Sequence, residues 1–509
     1  MTLVRVTTAS EATASDAAAI AAGTPSRTLM RRAGEAAAAE IARAYPDALS
    51  APITIYAGPG NNGGDGWVVA RALAERGARV YVYEAGEPRS EESKEARARA
   101  LPLASRGESP DSRLVVDALL GIGAKGEPHG GIAACIARIA TARANGASVV
   151  AIDAPSGLDA DTGAMAGAVR ADLTLTFGTL KRGLAIARGH AGRIVVIDIG
   201  LGDSAPGDGA PQLVDARWVR SHVPPISAEA HKGTRKKLII IGGEMGMAGA
   251  PMLAARAAMR SGIGMVRIVV CRDNLPVVQG AVPEAPAHAW PESDDEVQAT
   301  ITSWADAIVI GPGLGATLGS RALVERVLRG FRGPVLLDAD ALNVFAGEAE
   351  QLGALIGDRA ALLTPHPAEF ARLLGVHIND VLAHRFEIGA KLAARTRASV
   401  LLKGVPTVVS SPAGERLVSC AGTPVLAAAG SGDLLSGIAG TLLAQMGNAH
   451  TAGACAAWVH GRAAEIAGRG YVRGVTFANF DFALRRVWNE PLHALEPPVL
   501  AELPAVGER

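Results

Sequence analysis

Short apolar, β-branched runs separated by helical stretches recur along this chain, and the pattern starts twice. In the first half the runs are ITIYA (53–57), RVYVYEA (79–85), LVVDALLG (114–121), SVVAIDA (148–154), LTLTF (173–177) and RIVVIDIG (193–200). Helical stretches cover 26–44 and about 66–76. Strands without an alternating polar face must be covered on both sides, so the pattern implies a parallel sheet between helical layers. Residues 201–228 are rich in Gly, Pro and Asp and mark a boundary. The alternation then restarts with KKLIIIGG (236–243), a helix near 249–261, MVRIVV (265–270), AIVIGPG (307–313), PVLLDAD (334–340), ALLTPHP (361–367), SVLLKG (399–404) and TVVSS (407–411). The fold class is therefore α/β in two domains, 1–215 and 225–490, with ligands expected at the carboxyl ends of the strands.

Composition removes several classes of function. Lys+Arg and Asp+Glu both number 50 in 509 residues, so the electrostatic footprint of a nucleic-acid binder is missing. Aromatic residues are only 4%, too few for base-stacking platforms. Cys135, Cys271, Cys420 and Cys455 form no C-x-x-C pair, which points to a reduced, cytoplasmic setting. Arg5, Glu11 and Asp16 interrupt any signal-peptide core. Residues 434–461 lack Asp, Glu, Lys and Arg, but Gly447-Asn448 breaks the run. Two buried helices are expected there, since a span needs about 20 unbroken apolar residues.

The first strand leads into AGPGNNGGDGWVVA. Gly58, Gly60 and Gly63 fit G-x-G-x-x-G, and Glu84 ends the next strand, which outlines a dinucleotide-binding turn. A tight turn that merely needs glycine fits equally. Asp65 would repel a pyrophosphate at that helix start, whereas Asn61 and Asn62 offer carbonyl oxygens suited to a hard cation or polar ligand. Asp117 closes LVVDALLGIG, and Asp153 closes VVAIDAPSGLDADTG with Ser156 and Asp159 beyond it. Each carboxylate has an alternative role as helix cap or turn former.

GPGNNGGDG, DALLGIG, AIDAPSGLDADTG and FGTLKRGL together resemble the YjeF N-terminal family of NAD(P)H-hydrate epimerases, over residues 10–200. The resemblance implies a Rossmann-like three-layer α/β/α domain. It also implies a potassium ion (K+) held by Asn62, Asp117 and Ser156. Substrate contacts would come from Asn61, Asn62, Gly63, Gly64 and Asp65, from the loop Gly121, Ile122, Gly123, Ala124, Lys125, Gly126 and Glu127, and from Asp153. Asp65 and Asp153 would carry the proton chemistry at C6 of the hydrated nicotinamide.

In the second half, Gly430, Ser431, Gly432 and Asp433 open an apolar helix, where backbone N–H groups can hold a phosphoryl group. Asp433 would accept a proton from a substrate hydroxyl, with a helix cap as its alternative role. His366 stands between prolines at a strand end, placed for either structure or binding. HKGTRKK, GPGLG, DADALN, LTPHPAEF, LKG and GSGD, in that order, resemble the YjeF C-terminal family of nucleotide-dependent NAD(P)H-hydrate dehydratases, over 228–485. Ala429 and Ala368 stand where that family usually has glycine. The resemblance implies a ribokinase-like α/β/α domain using magnesium (Mg2+) and ADP or ATP. Ala250, Gly313, His366 and Asp433 would contact the hydrated dinucleotide. Lys403, Gly404, Val405, Pro406, Thr407 and Gly432 would contact the adenine nucleotide.

Together the halves imply a homo-oligomeric enzyme that exchanges the R and S forms of hydrated NAD(P)H and dehydrates the S form. Two other readings are a ribokinase-like small-molecule kinase fused to a dinucleotide-binding domain, and a first domain that only senses dinucleotides. A stable phosphorylated product would mark the kinase, and ligand binding without epimer exchange would mark the sensor.

Overall fold

The computed structural model describes residues 3–202, 209–469, 471, 473–492 and 494–506. Part of the boundary region, 203–208, lies outside the described residues. The chain forms two compact units. One takes the described residues of Met1–Leu213 and His493–Gly507, the other those from Val214 to Leu492.

In the first unit an eight-stranded sheet runs in the order Val499–Leu503, Arg193–Ile197, Leu173–Phe177, Ser148–Ile152, Leu114–Ala118, Ile53–Ala57, Val80–Glu84, Ser105–Arg106. All neighbours are parallel except Val499–Leu503, which pairs antiparallel with Arg193–Ile197. The sequence reading left this last strand unassigned. Chain order departs in opposite directions from Ile53–Ala57, which makes the crevice beside it the switch point of the sheet. Side chains alternate across the sheet. Ile53, Ile55 and Val116 pack with Ala37, Ile41, Val69 and Leu73, whereas Tyr56, Val115 and Val149 pack with Cys135 and Ile139.

The helix after the first strand runs Asn61–Glu75, about a turn and a half earlier than the sequence suggests. NNGGDG is therefore not a loop. Its glycines serve close packing inside the first helical turns: a Cβ built on Gly63 would stand 1.8 Å from the Gly58 carbonyl oxygen.

The second unit repeats the plan. Its strands run in the order Arg416–Ser419, Thr407–Ser410, Ser399–Leu402, Ala361–Leu363, Val335–Leu337, Ala307–Ile310, Lys237–Ile241, Met265–Val270, Ala287–Ala289. Thr407–Ser410 and Arg416–Ser419 form an antiparallel hairpin on Ser399–Leu402, where the sequence reading had one further strand of a parallel sheet. The tight turn from Ser411 to Glu415 reverses the chain without a crossover helix. Leu238 and Ile240 face one helical layer, and Ile239 and Ile241 the other, so KKLIIIGG shows no polar alternation.

The uncharged stretch forms two helices, Ser431–Met446 and Ala449–Ala467, broken at Gly447 in the left-handed region and capped by Asn448. No helix among the described residues is long and apolar enough to cross a membrane. Ser431–Met446 packs against the helix Gly249–Arg260, and a Cβ on Gly437 would stand 2.0 Å from the Ala254 carbonyl oxygen. Two effects oppose each other in Gly437→Ala. Helix propensity favours alanine by about 1 kcal/mol, while overpacking against fixed backbone costs about 1–3 kcal/mol. The variant is expected to lower the urea midpoint of the second unit, and an unchanged or raised midpoint contradicts this packing.

Candidate active sites

In the first unit the oxygen-rich residues meet at the switch point. Asp117 is fully buried at the end of its strand. Its Oδ1 accepts the Ser156 hydroxyl at 2.6 Å and the Leu119 N–H at 3.2 Å, and its Oδ2 accepts the Ser156 N–H at 2.8 Å. Burial pushes its carboxyl up to about 6. The Ser156 oxygen accepts the Leu120 N–H at 3.0 Å, and Asn62 Nδ2 donates to the Leu120 carbonyl at 3.0 Å. Leu120 thus links Asn62 to the Ser156–Asp117 pair. Asn62 Oδ1 is buried without a hydrogen-bond partner. An unpaired buried acceptor is costly in a folded protein, and it suits a cation.

A charged cluster lies beside it. Asp153 has a left-handed backbone, φ +64, which is strained for a residue with a Cβ. Its Oδ1 accepts from Lys181 Nζ at 2.8 Å and from the Thr176 hydroxyl at 3.3 Å. Lys181 is 2% exposed and also donates to Thr176 Oγ1 and the Phe177 carbonyl, both at 2.9 Å. Burial holds the Asp65 carboxyl well above the usual range, with Asp153 and Asp16 adding to the rise and Lys181 opposing it. Asp16, on the helix Ala9–Ala21, is also raised by burial.

Gly121 borders both clusters, since a Cβ there would stand 3.4 Å from Asn62 Cβ and 3.7 Å from Asp153 Oδ2. The loop runs on through Ile122, Gly123, Ala124, Lys125, Gly126 and Glu127, with the Lys125 ammonium 3.9 Å from Asp161. Sequence reasoning missed Lys181 and Asp16. FGTLKRGL contained the first, but its burial is invisible in the motif. Glu84, placed by the dinucleotide pattern, is instead held by Arg97 at 2.7 and 3.1 Å and by Arg106 at 3.3 Å.

In the second unit the site gathers at the start of Ser431–Met446. Gly430 is the cap residue, with φ +87 and no side-chain cap bond, so Asp433 lies inside the helix and does not cap it. The Ser431 N–H closes a turn onto the Ala428 carbonyl at 3.2 Å, and the Gly432 and Asp433 amides lie in the first turn, ahead of intrahelical acceptors. Burial pushes the Asp433 carboxyl up to about 7, with Asp338 adding to the rise and Lys403 opposing it.

Asp338, 2% exposed, accepts Lys403 Nζ at 2.9 Å and the Ser436 hydroxyl at 2.6 Å. A Cβ on Gly432 would stand 3.5 Å from Lys403 Nζ, so the ammonium lies at the helix start. Asp338 and Ser436 carry no role in the sequence reading, although DADALN held the aspartate in view.

His366 takes the structural one of the two roles that the sequence left open. Its Nδ1 caps the helix Pro367–Leu374 by accepting from Ala368 N–H at 3.1 Å and Glu369 N–H at 3.4 Å. That leaves the proton on Nε2, which lies 3.3 Å from Glu369 Oε1. Burial lowers its pKa, helped by nearby Lys403. Gly313 approaches Ala250, the two Cβ positions being 3.1 Å apart. Gly404 and Val405 are exposed, Pro406 is buried, and Thr407 donates to the Gly404 carbonyl at 3.1 Å.

Two family models match the chain: YjeF-related protein N-terminus over residues 26–183 and NAD(P)H-hydrate dehydratase over 238–479. Among curated relatives, the bifunctional NAD(P)H-hydrate repair enzyme of Coxiella burnetii is 37% identical, covering 88% of this chain and 92% of its own. That of Escherichia coli is 37% identical, covering 91% and 89%. Among solved structures, an ADP/ATP-dependent NAD(P)H-hydrate dehydratase from Bacillus subtilis, co-crystallised with ATP and Mg2+, is 31% identical with TM-score 0.47. It covers 54% of this chain and 96% of that one. With both domains matched in order and relatives aligned over nearly the whole length, this chain belongs to the family of bifunctional NAD(P)H-hydrate repair enzymes.

Proposed function

We propose that the two sites work in sequence on hydrated NAD(P)H, the first exchanging its R and S forms at C6 and the second dehydrating the S form at the expense of ADP or ATP. The observation that carries the second step is the convergence of Asp433, Asp338 and Lys403 at the start of Ser431–Met446.

Asp433 takes the proton of the 6-hydroxyl, that oxygen attacks the terminal phosphorus of the nucleotide, and the bond from that phosphorus to its bridging oxygen breaks, releasing AMP from ADP or ADP from ATP. Lys403 and the Gly432 and Asp433 amides face the charge that builds on the transferred phosphoryl group. The nitrogen lone pair of the ring then expels phosphate from C6, C5 loses a proton, and the dihydronicotinamide is restored. His366, Ala250 and Gly313 border the substrate. The exposed loop Gly404–Val405, with Pro406 and Thr407, borders the nucleotide. Asp338 and Asp340 already accept bonds from Lys403, Ser436, Gly315 and Asn343. A magnesium ion would therefore arrive on the nucleotide phosphates, which suits a small cation that keeps much of its own water.

In the first unit, epimerisation follows from ring opening. Loss of the 6-hydroxyl proton forms the C6 carbonyl, the N1–C6 bond breaks, and N1 takes a proton. Reclosure on the other face inverts C6. Asp153 and Asp65 carry the two proton transfers in this reading. Asn62 Oδ1, Ser156 and Asp117 fit a potassium ion, because the set is all oxygen and Asn62 Oδ1 lacks a donor. Such an ion would supply fixed positive charge beside the substrate. The cytoplasm, where NAD(P)H is used and free thiols such as Cys271 stay reduced, is the working compartment.

Asp433→Asn is expected to lower dehydration kcat by about 10²–10⁴-fold while epimer exchange continues. Retained dehydration overturns the assignment. Because Asp433 must be ionised to act, dehydration kcat/KM should fall with acid below about 7 and level off above it. A profile flat from pH 5 to 8, a range chosen to bracket about 7, contradicts Asp433 as base.

Asn62→Ala should weaken epimer exchange and abolish its response to potassium against lithium, leaving dehydration unchanged. Equal loss of both activities in a folded variant contradicts separate sites.

A further inference from the structure

We propose that Lys181 is a positioning residue of the epimerase site, holding Asp153 through Oδ1 so that Oδ2 is turned to the substrate side as the proton acceptor. The proposal rests on the epimerase reading of the first unit.

Lys181 is nearly inaccessible, and its ammonium has three acceptors: Asp153 Oδ1 at 2.8 Å, Thr176 Oγ1 at 2.9 Å and the Phe177 carbonyl at 2.9 Å. An ammonium has three protons, so none is left for a substrate. Lys181 must therefore act through what it holds. Thr176 supports the same arrangement, its Oγ1 accepting a hydrogen bond from Lys181 and its hydroxyl donating one to Asp153 Oδ1 at 3.3 Å. Oδ1 thus has two donors, while Oδ2 lies 3.7 Å from where a Gly121 Cβ would stand, beside the loop that borders the substrate.

The backbone supports the same conclusion. Asp153 keeps a left-handed conformation, φ +64, that glycine would adopt without strain. A carboxylate is retained there despite that strain.

The surrounding charges divide the labour. The groups facing Asp153 are Lys181, Asp65 from the helix Asn61–Glu75 and Asp16 from the helix Ala9–Ala21. Lys181 is the one cation among these four, and it makes its hydrogen bond to Asp153. Asp65 makes no such bond and burial favours its neutral form, so it is the carboxyl that gives a proton to N1 when the ring opens, while Asp153 accepts the hydroxyl proton. Reclosure reverses both transfers, so no proton is gained or lost overall. Asp16 adds negative charge that favours this division.

A lysine buried only to fill space would give a different mutational pattern. Lys181→Met, Asp153→Asn and the double variant are compared by chromatographic exchange of separated R and S hydrated NADH, with kcat and KM resolved. Lys181→Met is expected to lower kcat at least about 100-fold with KM within about threefold, and the double variant to be no slower than Asp153→Asn alone. Losses that multiply in the double variant, or a Lys181→Met kcat near wild type, overturn the proposal. If Lys181→Met does not fold, Lys181→Gln keeps a donor without the charge. It should show the same kcat loss, and a kcat near wild type would again overturn the proposal. The epimerase reading fails separately, by absence of exchange in the unaltered chain.

Discussion

A lysine ammonium withdrawn from water must find an anion and enough acceptors, or the unit that buries it loses several kcal/mol. Each unit meets that requirement at the carboxyl end of its sheet. Lys181 meets Asp153 at 2.8 Å in the first, and Lys403 meets Asp338 at 2.9 Å in the second. Beside each pair stands a further carboxyl whose proton affinity burial raises. Asp65 stands beside the first pair and is held well above its usual range, while Asp433 stands beside the second and is pushed up to about 7. Burial, with one cation facing several carboxylates, raises the proton affinity of one carboxyl in each site, as acid–base chemistry near neutral pH requires.

The topology explains why these pairs form where they do. In both sheets the first long strand ends with neighbours that lead away in opposite directions, so the loops after it diverge and leave a crevice. Asn61, Asn62 and Leu120 border that crevice in the first unit. Gly242 and Gly313 border it in the second, where a Cβ on Gly242 would meet the Pro312 carbonyl oxygen at 2.0 Å. Backbone this close leaves no room for a side chain at Gly242. Function thus follows from a sheet built twice, with different side chains set at the same place.

Much of this was legible in the chain because the core signals are local. LTLTF and MVRIVV became strands at their expected bounds, and the helix Ser26–Ala44 matches its stretch. Asp117, Ser156, Asn62, Asp153 and Asp433 were found because glycine-rich turns follow strands and the motifs name them. Pairings made at long range were not legible. Val499–Leu503 lies some 300 residues from its partner Arg193–Ile197, and nothing in VLAEL announces that partner. The hairpin at Thr407–Ser419 was read as one strand, because SPAGE resembles a loop as readily as a reversal. Lys181 was missed for a related reason: the anion that permits its burial lies 28 residues away. Asp338 was quoted within a motif and given no task, since its partners Lys403 and Ser436 come from distant strands and helices.

Two consecutive activities on the same damaged dinucleotide, carried by one chain, can be read together in one experiment. The most direct measurement follows separated R and S forms of hydrated NADH by chromatography, with magnesium and potassium, in the presence and absence of ADP or ATP. Exchange of the two forms is expected without nucleotide, and return of NADH from either form only when nucleotide is added. Persistence of the R form under full turnover conditions, or a stable phosphorylated product in place of NADH, would contradict that expectation.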